Sequence, residues 1–413
     1  VIILSLEDQL KQYIIKNSIS SDEKIAIAVS GGSDSLGLSL LASRIFSTEN
    51  IQLVTIDHDL RKESANESHQ VGKWADSYGL AHEILLWKKN EIRGNLLQCA
   101  RVARYGLLKD YCVKHNIKYL FLGHTLDDQI ETFFINLERG SGIDGLSGME
   151  DISSLNEIFI CRPLLAATRE EIREFLQSIN QSWIDDPTND NEKYLRIKIR
   201  NLFKDDKSFY HRMNLALENL RRTKNFVKNC IDSYYCEIVH HDLAQIKYFD
   251  RTLYASLDDE VRFRLLNKII KDLTGDARNQ RFDSIKRVDD KIKEAQFKNY
   301  NLSGLGISSK KNLIYFYPLI QEISRVKLCS SSVYDIGNYK IHTGEIPQGL
   351  ELGFATNKQF AEFKKSKKSF PSTSPCNMIL NVPVVFKLEK IIMIPHMRCS
   401  GDDDIAVEIK SKD

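Results

Sequence analysis

The chain is expected to be an α/β protein, with a doubly wound, mostly parallel sheet followed by a helical domain and a small β-rich C-terminal domain. Three observations predict this. In the first half, short β-branched runs alternate with amphipathic helical patterns, the mark of βαβ units. From about residue 208 to 300 apolar positions recur at helical spacing, as in Leu215, Leu217, Leu220, Phe226 and Val227, then Val261, Leu265, Leu266, Ile269 and Ile270. After Asn301-Leu302-Ser303-Gly304 the texture changes to short apolar runs separated by Gly, Pro and Ser. The expected domains are 1–205, 206–310 and 311–413, in keeping with 413 residues at roughly 100–200 per domain.

Taken in order, the expected strands of the first domain are Lys24 to Val29, Ile51 to Ile56, His82 to Trp87, Lys118 to Leu122 and Ile158 to Cys161. Between the first four lie helical stretches Leu36 to Ile45, Ser64 to Tyr78 and Leu96 to His115, with Leu126 to Leu137 following the fourth. Strands this apolar need helices on both faces, and ligands of such sheets bind at the carboxyl ends of the strands. The stretch Arg139-Gly140-Ser141-Gly142-Ile143-Asp144-Gly145-Leu146-Ser147-Gly148-Met149 reads as a flexible active-site loop. A capping box, Thr168-Arg169-Glu170-Glu171, opens a helix to about Ile179. In the last domain strands are expected at Leu313 to Tyr317, Val382 to Phe386 and Ile391 to Ile394, with Lys364-Lys365-Ser366-Lys367-Lys368 as a basic loop.

Composition excludes several classes. Hydrophobic residues at 42% and charged residues at 28% exclude collagen-like and disordered chains. No apolar run approaches the roughly 18–20 residues that cross a bilayer, so a soluble, cytoplasmic protein is expected, with no membrane partner. The eight cysteines form no C-x-x-C, which supports neither a zinc ribbon nor a disulfide framework. The net charge of +2 divides unevenly: residues 1–200 hold 23 basic and 29 acidic side chains, residues 201–413 hold 35 and 27. Such a split suits carboxylates serving a cation in one half and a polyanion partner in the other.

Two motifs carry chemistry. Ile25-Ala26-Ile27-Ala28-Val29 runs into Ser30-Gly31-Gly32-Ser33-Asp34-Ser35, a buried strand turning into a helix through glycines and hydroxyls. Glycines admit close approach of an anion, and free N–H groups and the helix dipole favour its charge, so a phosphate or pyrophosphate is the natural guest. The Walker ending Gly-Lys-[Ser/Thr] is absent. Asp34 would repel bound phosphates unless a divalent cation sits between, which implies Mg²⁺. The second motif is His124-Thr125-Leu126-Asp127-Asp128-Gln129-Ile130-Glu131. On a helix, His124, Asp127, Asp128 and Glu131 would share one face, an arrangement suited to a metal, an ammonium group or a proton. The plainer alternative is a set of N-terminal capping acids.

Together these motifs resemble the N-type ATP pyrophosphatases, the PP-loop superfamily, and the wider pattern resembles the tRNA(Ile)-lysidine synthetase family. The matching stretches also include Asp57-His58 with Leu60-Arg61, Arg101 with Arg104-Tyr105, Arg139-Gly140-Ser141-Gly142, Arg162-Pro163-Leu164-Leu165 and Asp186-Pro187-Thr188-Asn189. Two departures stand out: Asp59 replaces the family's usual glycine, and Arg196-Ile197-Lys198-Ile199-Arg200 replaces Arg-Asn-Arg-Ile-Arg. The resemblance implies a Rossmann-like fold that uses ATP and Mg²⁺. It implies adenylation of the C2 oxygen of the wobble cytidine in a CAU-anticodon isoleucine tRNA, then attack by the ε-amine of free lysine.

On this resemblance Ser30, Gly31, Gly32, Ser33, Asp34, Ser35, His58 and His124 would bind ATP, and Asp34 with Asp127 (or Asp128) would hold the metal. Asp34, Asp128 and Glu131 would be catalytic. Asp128, Glu131, Arg196, Arg101 and Arg104 would face substrate, the last two either nucleotide phosphates or the anticodon loop. The division of labour among Asp127, Asp128 and Glu131 stays open, as does a homodimer. A PP-loop tRNA thiolase and a non-catalytic RNA- or nucleotide-binding protein are the alternatives; the first needs reactive cysteines and the second has no use for a costly acidic face.

Overall fold

The computed structural model describes residues 5–57, 64–87, 96–185, 199, 206–242, 246–275, 280–294, 296–319, 325–336, 339–366, 378, 380–395, 399–400 and 406–411. The chain forms two compact units, Val1–Asn225 and Phe226–Asp413.

The first unit opens with helix α1 (Leu6–Lys16), capped by the Ser5 hydroxyl, which accepts from the Asp8 N–H. Five strands follow as β1 (Ile25–Ala28), β2 (Ile51–Asp57), β3 (Ala81–Leu86), β4 (Tyr119–Leu122) and, after the short β5 (Ile152–Leu155), β6 (Ile158–Cys161). They agree with the expected strands to within one residue at either end. The intervening helices are α2 (Ser33–Ala42), α3 (Ser64–Ser77), α4 (Leu96–Lys114) and α5 (Leu126–Glu138), then the single turn α6 (Ile143–Leu146) and α7 (Arg169–Ser178).

The sheet order is β3-β2-β1-β4-β6-β5, with every pairing parallel except β5 with β6. The chain thus winds one way from β1 through β2 to β3, then crosses back to β4 and β6. That reversal between β1 and β4 is the switch point at which open α/β sheets bind ligands. Helix α2 is buried on every side, with Leu36, Leu38, Leu40, Leu41 and Ala42 in one core together with Ile25, Ile27, Phe121 and Ile172. Its Gly37 faces Ile172 of α7 with no room for a Cβ, so α2 and α7 pack closely behind the switch point.

One expectation for this unit needs correction, and one strand adds to it. Strand β5 carries no signal in the sequence, because Ser153 and Ser154 give an edge strand no apolar run. The glycine-rich stretch is no open loop: α6 occupies its centre, Asn136 Nδ2 donates to the Gly145 carbonyl at 2.8 Å, and the Gln129 amide pairs with both backbone groups of Met149 at 2.9 and 2.7 Å.

Helix α8 (Lys207–Ile238) begins in the first unit and ends in the second. The second unit continues with β7 (His240–His241), β8 (Lys247–Asp250), α9 (Arg251–Ala255), α10 (Asp259–Thr274), α11 (Phe282–Lys293), β9 (Asn299–Leu302), β10 (Leu305–Lys310) and β11 (Leu313–Pro318). The helical stretch expected over 208–300 is therefore broken by β7 and β8, which join an antiparallel sheet β7-β8-β11-β10-β9. Alternation along β11 sends Ile314 and Phe316 into a core with Leu265, Ile269, Ile285 and Val288 of the helices, and Tyr315 and Tyr317 into a second core on the other face.

That second core is closed by β12 (Val326–Lys327), β13 (Val333–Ile336), β14 (Tyr339–Thr343), β15 (Leu350–Gly353), α12 (Asn357–Ser366), β16 (Val384–Lys387), β17 (Lys390–Ile394), β18 (Cys399–Ser400) and β19 (Val407–Ser411). Of the expected basic loop, Lys364 and Lys365 instead end α12, where cations suit the helix dipole; Lys367 and Lys368 lie outside the described residues. Among the described residues no helix is long and apolar enough to cross a membrane.

Candidate active site

The site is built on the carboxyl ends of three adjacent strands. At the end of β1 the chain leaves the sheet through Ser30, Gly31 and Gly32. Gly31 adopts a left-handed φ of +85°, and a Cβ there would lie 2.7 Å from Ile184 Cδ1, so only glycine fits. The Gly31 carbonyl accepts from the Ile184 N–H at 2.9 Å, which pins the loop from the far side. Ser35 Oγ accepts from the Ser30 N–H at 3.1 Å and donates to the Gly32 carbonyl at 3.2 Å, closing the turn. Gly32 is the N-cap of α2 and supplies no side-chain cap, so the first turn offers its N–H groups to an anion.

At the end of β4, Gly123 abuts the start of α2, and His124 and Thr125 lead into α5. His124 lies before the N-cap rather than on the helix, so the expected helical face begins only with Asp127. Asp128 forms a capping box: its Oδ2 accepts from the Thr125 N–H at 2.9 Å and from the Thr125 hydroxyl at 3.2 Å. Asp127 is buried and spans two helices, its Oδ2 accepting from the Arg169 N–H at 2.8 Å and its Oδ1 from the Tyr210 hydroxyl at 3.1 Å. Glu131, one turn on, is 4% exposed.

After β6 the third loop zips onto the second, the Leu126 N–H donating to the Ala167 carbonyl at 2.8 Å. It delivers Arg169, the first residue of α7, into the acids. Arg169 Nε donates to Asp34 Oδ2 at 2.9 Å, and Nη2 lies 3.7 Å from Asp128 Oδ1. Burial opposes charge on this guanidinium, but Asp34, Asp128 and Asp127 hold it protonated more firmly than an ordinary arginine. Burial likewise pushes the Asp34 carboxyl above the usual aspartate range; Arg169 pulls it down and Asp128 pushes it up again. Arg169 was not foreseen as a site residue, because in sequence it belongs to the Thr168–Glu171 capping box. The signal available was a cation in a helix's first turn, against the dipole.

Ser30, Gly31, Gly32, Ser33, Asp34 and Ser35 thus gather with Asp127 and Asp128 at the switch point. Arg101 and Arg104 lie on α4, each with its guanidinium carbon 5.5 Å from the centre of the Tyr105 ring. Asp110 pairs with Lys109 rather than with either arginine. His58 and Arg196 lie outside the described residues.

The acids fit a hard divalent cation. Asp34 and Asp128 each commit one oxygen to their own turn, Asp34 Oδ1 to the Ser33 hydroxyl at 3.0 Å and Asp128 Oδ2 to Thr125. Each turns the other oxygen toward the Arg169 guanidinium. Among the described residues no group of three or more His, Cys, Asp or Glu side chains converges to form a protein-only metal cage. Mg²⁺ is commonly held by one or two carboxylates together with substrate phosphates, which is the arrangement this pair offers.

A strand-to-helix anion loop at the switch point of a parallel sheet, with acids facing it, defines a PP-loop protein, and the PP-loop domain model matches residues 4–205. Over 410 residues the chain is 31% identical to a tRNA(Ile)-lysidine synthase of Orientia tsutsugamushi (strain Boryong), covering 94% of this chain and 92% of that one. It is 34% identical to the tRNA(Ile)-lysidine synthase of Wolbachia pipientis wMel, over 77% of this chain and 75% of that one. The chain belongs to the tRNA(Ile)-lysidine synthase family. Among solved structures it is similar to a U34-tRNA thiolase from Methanococcus maripaludis, at 17% identity and a TM-score of 0.44, covering 52% of this chain and 77% of that one.

Proposed function

We propose that this protein is an ATP-dependent carbon–nitrogen ligase that joins lysine to C2 of the wobble cytidine of CAU-anticodon isoleucine tRNA, changing decoding from AUG to AUA. The observation that carries this reading is Asp34, in the first turn of the uncapped helix α2, brought together with Asp128 of α5 across the Arg169 guanidinium, in a chain of this family. The cytidine C2 oxygen attacks the α-phosphorus of ATP and pyrophosphate leaves; the lysine ε-amine then attacks C2 and AMP departs.

The Ser30–Ser35 loop holds the departing pyrophosphate on the N–H groups of α2. Asp34 and Asp128 would hold Mg²⁺, which when bound would supply positive charge beside the leaving group. Asp127, with both oxygens engaged by Arg169 and Tyr210, keeps α5 and α7 in register. Glu131 takes the proton of the lysine ε-amine, and Asp128 attracts its ammonium form. Residues 1–205 would form the catalytic domain and 206–310 would grip the tRNA, with 311–413, joined to that stretch by the β10–β11 pairing, completing the β-rich part.

Thiolation would need a reactive thiolate, and two of the first unit's cysteines do not offer one: burial pushes Cys112 up to about 12 and Cys161 up to about 11. Incubation with ATP, Mg²⁺, radiolabelled lysine and a CAU-anticodon isoleucine transcript places label in the tRNA. No incorporation, with sulfide-dependent modification instead, overturns the reading.

A further inference from the structure

We propose that Arg169 is a built-in counter-cation, which holds Asp34 and Asp128 in register between turnovers and yields its place to the divalent ion, so that it sets how tightly the site takes metal. The inference rests on the assignment of Asp34 and Asp128 as the metal pair.

Four observations carry it. Arginine is seldom buried unless it is paired, and the Arg169 side chain, only 16% exposed, is paired with Asp34. It stands in the first turn of α7, where the dipole favours the acids Glu170 and Glu171 and opposes a cation, so its position is not explained by the helix it begins. The two oxygens turned toward it, Asp34 Oδ2 and Asp128 Oδ1, are the two not used by their own turns, and an ion bridging them would occupy the guanidinium's volume. Finally, the backbone N–H of Arg169 is fixed by Asp127, whereas its Nη2 stands 3.7 Å from Asp128, beyond hydrogen-bond length. The backbone is anchored and the guanidinium is held firmly on one side only, which is what a displaceable group requires.

The consequence is quantitative. If the guanidinium fills the site nine-tenths or more of the time, the apparent metal affinity is weakened about tenfold or more, and removing it restores that factor.

Mn²⁺ binding to the full chain without nucleotide, followed by electron paramagnetic resonance, tests this alongside melting temperature in EDTA and in Mn²⁺. Arg169→Gln is expected to tighten Mn²⁺ about tenfold or more, to melt lower in EDTA, and to recover in Mn²⁺. Arg169→Lys, a point charge that reaches one acid at a time, is expected to tighten it a few fold. Unchanged or weaker Mn²⁺ binding in Arg169→Gln, or a melting loss that Mn²⁺ does not recover, overturns the inference. Should the glutamine variant fail to fold, the lysine variant decides by the same criterion. Asp34→Asn and Asp128→Asn separate the two ideas. If they leave Mn²⁺ affinity intact, the metal-pair assignment falls; if they abolish it while the Arg169 variants match wild type, only the role of Arg169 falls.

Discussion

Gly123 lies so close to Asp34 that a Cβ built on it would stand 2.8 Å from the Asp34 carbonyl carbon and oxygen, and equally close to Ser35 Cα. The missing side chain is what lets the end of β4 touch the start of α2, and so brings the anion loop and the acidic helix into one site. Gly123→Ala forces one backbone to shift. Overpacking of this kind costs about 1–3 kcal/mol. A displacement near 1 Å between reacting groups costs about 100-fold in rate. The expected result is a folded protein whose kcat/KM for lysine incorporation falls about 100-fold; a melting loss with unaltered kinetics would make Gly123 a packing residue only.

Asp127 and Asp128 are adjacent, yet their carboxylates do different work. Tyr210→Phe removes one hydrogen bond to Asp127 and is expected to cost about 1 kcal/mol of stability. Asp127→Asn is expected to destabilise while leaving ATP-dependent Mg²⁺ affinity within a few fold. Asp128→Asn is expected to lose that affinity by tenfold or more. Parallel titrations of the two variants check this, and equal losses would return Asp127 to the metal pair.

The fold was legible where burial dictates sequence. Strands β1, β4 and β6 are continuous apolar runs because helices cover both faces of the sheet, and Gly31 is readable because its left-handed φ strains any other residue. Half of the candidate site was legible too, since Asp34 and Asp128 sit in local motifs. Arg169 did not: its partner Asp34 is 135 residues away in the chain, and its neighbours Thr168 and Glu171 explain themselves locally as a capping box. Strands β7 and β8 were hidden for a related reason: both are short, and β8 is held by β11, about 65 residues on, in a pairing that no local period announces.

Among the described residues Arg101 and Arg104 flank Tyr105 without an ion pair, and the buried Tyr105 hydroxyl has no hydrogen-bond partner. Of the two roles open to them, contact with tRNA phosphates makes a salt-dependent prediction. Changing both arginines to alanine is expected to weaken tRNA binding and to lower the slope of log K against log salt by about 1–2, with KM for ATP unchanged. Intact tRNA affinity with a raised KM for ATP would place them on the nucleotide instead.

In the second unit a buried network joins three helices: Asp289 Oδ1 accepts from Tyr254 at 2.7 Å and from Arg262 Nε at 2.8 Å, and Oδ2 pairs with Lys293 at 2.8 Å. Burial raises the Asp289 pKa, but the donors Arg262, Lys293 and Tyr254 outweigh it and leave the carboxyl below its ordinary value. A carboxylate with a depressed folded pKa stabilises the protein above its unfolded pKa, about 4, and that contribution is lost as pH falls through the folded value. Asp289→Asn leaves Arg262 with its buried charge poorly compensated, a change that costs about 3–5 kcal/mol at neutral pH. All three tryptophans, Trp74, Trp87 and Trp183, lie in the first unit, so their fluorescence does not follow this transition. Urea unfolding read by far-UV circular dichroism is expected to show a second-unit midpoint well below wild type at pH 7. The gap should close below about pH 4, and a gap independent of pH would show that the network acts through packing and not through the Asp289 charge.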